Sequence, residues 1–184
     1  MPFYRVKANK SSPDFILLGR STIWFGVFSL HPVIKERIPV HDLYDVNPVL
    51  GDTIDKIVKE GDNARQRGDM ESALSLYDNA WGLVPEPKSD WLMPSLWIAS
   101  GFCSAWFDKG DFVRAKPWAQ FLLNLRTDRD TAPAIIMGMV CYELKQYDEA
   151  YEHFHLAYGY GKKKAFQGRE KKYLDFYLLE RKKK

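Results

Sequence analysis

One short pattern occurs three times in this chain: a tight turn, an acidic or aromatic residue, and then a small residue. The copies are Gly68-Asp69-Met70-Glu71-Ser72-Ala73, Gly110-Asp111-Phe112-Val113-Arg114-Ala115 and Lys145-Gln146-Tyr147-Asp148-Glu149-Ala150. Their alanines lie 42 and then 35 residues apart. Recurrence near that period indicates stacked helical hairpins, because one hairpin leaves an apolar face bare and needs a neighbour to cover it. Such arrays more often hold other molecules than transform them, so the pattern predicts a binding scaffold.

The apolar spacing is helical from Asp52 onward. Ile54, Ile57, Val58 and Ala64 form one stripe that ends at the turn Arg67-Gly68-Asp69. Ala73, Leu74, Leu76, Tyr77, Ala80 and Trp81 form a second, stopped by Pro85-Glu86-Pro87. A connector over 88–94 follows, then helices over 96–108, 112–125, 132–144 and 148–158, and a last one over 170–180. Pro117 lies near the first turn of its helix, where proline is tolerated. The expected fold is therefore mainly α: three helical hairpins over 52–162, and a capping helix with a basic tail over 163–184. An array exposes its final apolar face unless something covers it.

Residues 1–51 have a different texture. Phe3-Tyr4-Arg5-Val6-Lys7 alternates as a strand does, residues 15–18 and 22–30 are β-branched and aromatic, and Pro32, Pro39 and Pro48 punctuate the rest. A small strand-like or irregular arm is expected there. Arg20 interrupts the apolar run over 15–30, which is too short to span a bilayer comfortably and is not followed by a small-x-small cleavage site.

Apolar content of 46% with 15% aromatics suits a folded core. The net charge of +3 is unevenly placed: residues 162–184 hold ten Lys/Arg against three Asp/Glu, and the rest hold 17 basic against 21 acidic groups. A mildly acidic body thus carries a basic end. The two cysteines, Cys103 and Cys141, sit in apolar helical surroundings without a Cys-x-x-Cys pair, which predicts buried thiols and a reducing, cytoplasmic setting.

The repeated residues resemble the tetratricopeptide repeat (TPR) family. Repeat one has Gly61, Gly68, Ala73, Tyr77, Ala80 and Pro85 at the family's positions. Repeat two matches at Gly110 and Ala115, with Cys103 where a small glycine usually sits and Leu122 in place of the second alanine. Repeat three matches at Gly138, Ala150, Phe154 and Ala157. The resemblance implies a stack of antiparallel helix pairs, an α-α superhelix whose first helices line the concave face. Its outward positions here are Asp55, Val58, Asp62 and Arg65, then Trp97, Ser100, Ser104 and Phe107, then Ile135, Met139 and Tyr142. These are the expected partner-binding residues, with Trp97, Phe107 and Tyr142 as anchors. Packing against the N-terminal arm is the alternative for about half of them.

A narrower similarity links residues 80–88, Trp91, Trp97-Ile98, residues 110–112 and the ending over 171–178 to small bacterial proteins of this type encoded beside polymorphic toxins. That similarity implies an immunity protein that binds and occludes a cognate toxin domain. A secretion chaperone or adaptor holding an exported protein segment is the alternative. The clamp that captures acidic chaperone tails is absent, since Val58, Asp62, Ser100 and Ser104 stand at its positions.

No constellation for catalysis, cofactor or metal binding is read from the chain. The histidines are His31, His41, His153 and His155, and the last two point about 200° apart on a helix. No nucleophile elbow, phosphate loop or zinc spacing occurs. The tail Arg181-Lys182-Lys183-Lys184, with Lys162-Lys163-Lys164, lacks interleaved aromatics for stacking bases, so a protein partner is expected and neither nucleic acid nor a membrane is.

Overall fold

The recurring turns close the helices in the same way each time. The computed structural model describes residues 42–127 and 129–183. In it, Gly68, Gly110 and Lys145 all adopt positive φ, at 83°, 73° and 61°. The residue after each donates its backbone N–H to a carbonyl five positions back: Asp69 to Ala64 at 3.0 Å, Asp111 to Trp106 at 2.9 Å and Gln146 to Cys141 at 2.9 Å. These bonds satisfy carbonyls that a helix end would otherwise leave orphaned. Two of the turn-following residues also start the next helix. Asp69 accepts from the Ser72 N–H at 3.1 Å and Asp111 from the Arg114 N–H at 3.0 Å.

Eight α-helices result among the described residues, with no strand. They are α1 (Leu43–Val46), α2 (Pro48–Gln66), α3 (Met70–Leu83), α4 (Leu92–Asp108), α5 (Phe112–Leu125), α6 (Ala132–Glu143), α7 (Tyr147–Gly161) and α8 (Lys171–Lys183). Helices α2 and α3, α4 and α5, and α6 and α7 pack as hairpins; α3 meets α4, α5 meets α6, and α2 also touches α4. A TPR-like stack of three hairpins is thus observed, closed by α8 against α7 and the 3-10 turn Lys162–Phe166.

Several boundaries differ from expectation. Helix starts before Asp52, because Pro48 occupies the first helical position and Asn47 caps it by accepting from the Leu50 N–H at 3.1 Å. The short α1 precedes it and buries Leu43 in the core. Helix α4 begins at Leu92 and not at 96, since Pro94 lies in its first turn, where no N–H is needed. Pro117, by contrast, falls in the second turn of α5, beyond the tolerated first turn. There it removes the bond to the Val113 carbonyl, on a face where both Val113 and Pro117 are exposed and water can substitute. The strand-like segments expected between residues 3 and 30 lie outside the described residues.

Helix crossings within the hairpins follow a rule of paired sizes. The residue twelve before each repeat alanine faces the residue four after it. In repeat one these are Gly61 and Tyr77, in repeat two Cys103 and Ala119, in repeat three Gly138 and Phe154. A β-carbon on Gly61 would lie 2.7 Å from the Tyr77 ring, and one on Gly138 would lie 2.5 Å from the Phe154 ring. Repeat two has its small residue on the other helix, and Cys103 and Ala119 are both buried. The departure from glycine at 103 is therefore a compensated exchange of volume.

Helix α8 accounts for much of the basic tail. Tyr173 and Tyr177 are fully buried against the third hairpin. Lys172 binds Glu143 at 2.9 Å, Lys183 binds Glu180 at 2.6 Å, and the Arg181 guanidinium lies 5.1 Å from the Tyr158 ring centre. Arg181, Lys182 and Lys183 occupy its last turn, where cations complement the helix dipole. Among the described residues no helix is long and apolar enough to cross a membrane.

Candidate functional site

Helices α2 and α4 run beside each other with a groove of about 500 Å³ between them. Residues three and four apart share a helix face. Asp55, Val58, Lys59, Asp62 and Arg65 supply one wall by that spacing, and Trp97, Ser100, Gly101 and Ser104 supply the other. The groove brings together seven of the eleven residues expected at a concave face: Asp55, Val58, Asp62, Arg65, Trp97, Ser100 and Ser104. Lys59 and Gly101 were missed, although each lies four residues after an expected one (Asp55 and Trp97), so the same periodicity could have found them.

Behind the groove lies Tyr77 of α3, fully buried. Its ring lies under both walls: a β-carbon on Gly101 would come within 2.6 Å of it, much as one on Gly61 would. Its hydroxyl donates to Asp62 Oδ1 at 2.6 Å. Burial, and after it the bond to Asp62, pushes the Tyr77 phenol above its ordinary range, so the proton stays on the tyrosine at neutral pH. Arg65 is held from the other side, with Nη1 2.7 Å from Asp108 Oδ2 on α4. Trp97 remains 41% exposed at the rim. The result is a preformed cleft with one accessible indole and charges of both signs.

The other four expected residues do not join this groove. Phe107 is half-buried with its ring edge-on to Phe112, the centroids 5.0 Å apart. Ile135 is a correction: it is 1% exposed, inside the core. Helix α6 is clasped by α5 and α7 and also buries Ala134, Met137, Val140 and Cys141, so Ile135 has no free face to sit on. Met139 is half-buried against the same core. Tyr142 packs against Tyr173 and Phe176 of α8, with centroids 5.3 and 5.1 Å away, and against Tyr147. The capping helix covers the position where the hollow was expected to continue.

The third hairpin gathers a second set of groups that sequence reading did not connect. Glu149 and His153 lie one turn apart on α7, and Cys141 faces them from α6. Their ligand atoms all lie within 4.8 Å of one another. Lys116 of α5 reaches in, with Nζ 2.7 Å from Glu149 Oε2 and 2.8 Å from Gln146 Oε1. Burial, with Glu149 adding to it, pushes the Cys141 thiol up to about 12. Burial also lowers His153 below its usual value. Cys103, likewise buried, is pushed up to about 12 by burial alone. His155 lies with Nδ1 3.1 Å from the Tyr177 hydroxyl, while His31 and His41 lie outside the described residues.

The fold is similar to that of the C-terminal TPR-containing domain of a Plasmodium falciparum protein described as an FK506-binding protein. The TM-score is 0.57 at 13% identity, covering 73% of this chain and 94% of that one. No protein-family profile matches the chain, and no curated protein matches it in sequence.

Proposed function

We propose that this chain is a protein-binding scaffold whose α2–α4 groove seats an exposed segment of its partner, with Trp97 as the anchor. The observation that carries this reading is the preformed cleft itself. It is polar on both walls, apolar at Trp97, and supported from beneath by Tyr77. A rigid cleft has little ordering to do on binding, and exposed tryptophans are prominent among residues that dominate interface energies. An enzymatic role has less support, since the groove holds no nucleophile paired with a base.

Within that class we read the chain as an immunity protein that binds and sterically occludes a toxin domain. The similarity of residues 80–88, 97–98, 110–112 and 171–178 to proteins encoded beside polymorphic toxins supports this reading. The short groove supports it too. A chaperone or adaptor that cradles an exported segment would use inward positions along the whole stack, and Tyr142 is covered by α8. Co-expression with the neighbouring gene product tests the reading: relief of growth arrest together with a stable 1:1 complex is expected. Relief without a complex would overturn occlusion, and a complex with a harmless exported protein would favour the chaperone.

A further inference from the structure

We propose that Cys141, Glu149 and His153 form a binding site for one divalent transition-metal ion of the zinc type. The donor set is a sulfur, an imidazole nitrogen and a carboxylate oxygen, which suits zinc far better than magnesium or calcium. Glu149 and His153 are four residues apart on α7, so both side chains leave the helix in one direction. Cys141 supplies the third ligand across the hairpin from α6. A tetrahedral ion would hold its ligand atoms about 3.3–3.8 Å apart. The observed separations, at most 4.8 Å, need closing by about 1 Å, within reach of side-chain rotation. The fourth position is left to water.

Lys116 is the reason for thinking that a cation belongs at this place. Its ammonium already sits on Glu149, and its side chain is 27% exposed, so it can withdraw to solvent. The exchange conserves charge. Before it, one ammonium balances one carboxylate beside a neutral thiol and a neutral imidazole. After it, the sulfur–hydrogen bond has broken, a sulfur–metal bond has formed and the proton has gone to solvent. A doubly charged ion then balances thiolate and carboxylate. The Glu149 side chain is 40% exposed, which provides the entry path. The bound ion would staple α6 to α7 on the third hairpin, away from the α2–α4 groove.

The test is a Co²⁺ titration of the full chain, tag removed and thiols reduced. One equivalent is expected to give a thiolate-to-cobalt charge-transfer band and strong tetrahedral visible absorption. Cys103→Ser should retain the band and Cys141→Ser should lose it. Two more exposed substitutions decide the matter if Cys141→Ser fails to fold. His153→Gln should weaken cobalt binding about tenfold or more, and Lys116→Gln should tighten it by a similar factor. Absence of a saturable band would overturn the proposal. So would a band that survives Cys141→Ser, or an affinity indifferent to both His153→Gln and Lys116→Gln.

Discussion

The hydroxyl of Tyr77 donates to Asp62 at 2.6 Å, and that single bond joins a helix crossing to a groove wall. The ring below it fills the space left by Gly61 and Gly101, while the carboxylate above it faces the cleft. Tyr77→Phe keeps the ring and deletes only the bond. A hydrogen bond to a charged group is worth about 1.5–3 kcal/mol when fully buried, and Asp62 is only half-buried. A loss of about 1–2 kcal/mol is expected from urea unfolding, with the helical circular dichroism of the native state unchanged.

The same substitution at two glycines should act in opposite directions. Alanine at Gly61 places a carbon 2.7 Å from the Tyr77 ring, an overpacking that costs about 1–3 kcal/mol. Alanine at Gly159 of α7 meets nothing within 4 Å and gains helix propensity, about 0.5–1 kcal/mol of stabilisation. Paired thermal melts of the two variants check the sign.

Lys145 occupies the left-handed turn position that Gly68 and Gly110 fill in the other repeats. A side chain there carries steric strain of about 1–2 kcal/mol, part of which glycine's greater freedom in the unfolded chain would offset. Lys145→Gly should therefore stabilise by about 0.5–1 kcal/mol and Gly110→Ala should destabilise by about 1 kcal/mol. Denaturant midpoints at unchanged slope provide the measurement.

Two helix caps make stability sensitive to acid. The side-chain and backbone hydrogen bonds of Ser72 hold the Asp69 carboxyl below its usual value of 3.8. The Arg114 N–H, with the Arg114 side chain, does the same for Asp111. A carboxyl depressed in the folded state stabilises fully above the unfolded value, and that contribution fades as pH falls through the folded one. Melting temperatures should drop between neutral pH and the region below 3.8. Asp69→Asn with Asp111→Asn should flatten that dependence, because the amide oxygen still caps but does not titrate.

Trp97 and Ile135 separate grip from stability. Trp97→Ala should leave the melting temperature nearly unchanged and weaken the partner complex by about 2 kcal/mol or more. Ile135→Ala should cost about 2–5 kcal/mol of stability and leave the intrinsic affinity of the folded protein unaltered. Calorimetry on both proteins distinguishes the two outcomes.

The hairpins were legible because their signals are local. Gly68, Gly110 and the alanines that follow mark turn and crossing within a few residues of chain. Prolines misled at Pro48 and Pro94, which read as breakers but occupy early helical positions. Seven groove residues followed from a helical period laid over a known arrangement, and Lys59 and Gly101 obey that same period. Ile135 and Tyr142 failed for a different reason. Whether a helix position faces water depends on what packs over it, and α5, α7 and α8 are distant in sequence from the positions they cover. The association of Cys141 with Glu149 and His153 also crosses two antiparallel helices, so no spacing within one helix announces it.

Helix α8 divides the molecule into a part that touches itself and a part left open to others. With Tyr173 and Phe176 laid over Tyr142, aromatic surface that would otherwise be sticky is spent internally, while the exposed indole of Trp97 stands at the seam between the first and second hairpins. A mutational survey that pooled all inward-pointing positions would confuse weakened folding with weakened recognition. Sorting variants by hairpin removes that ambiguity.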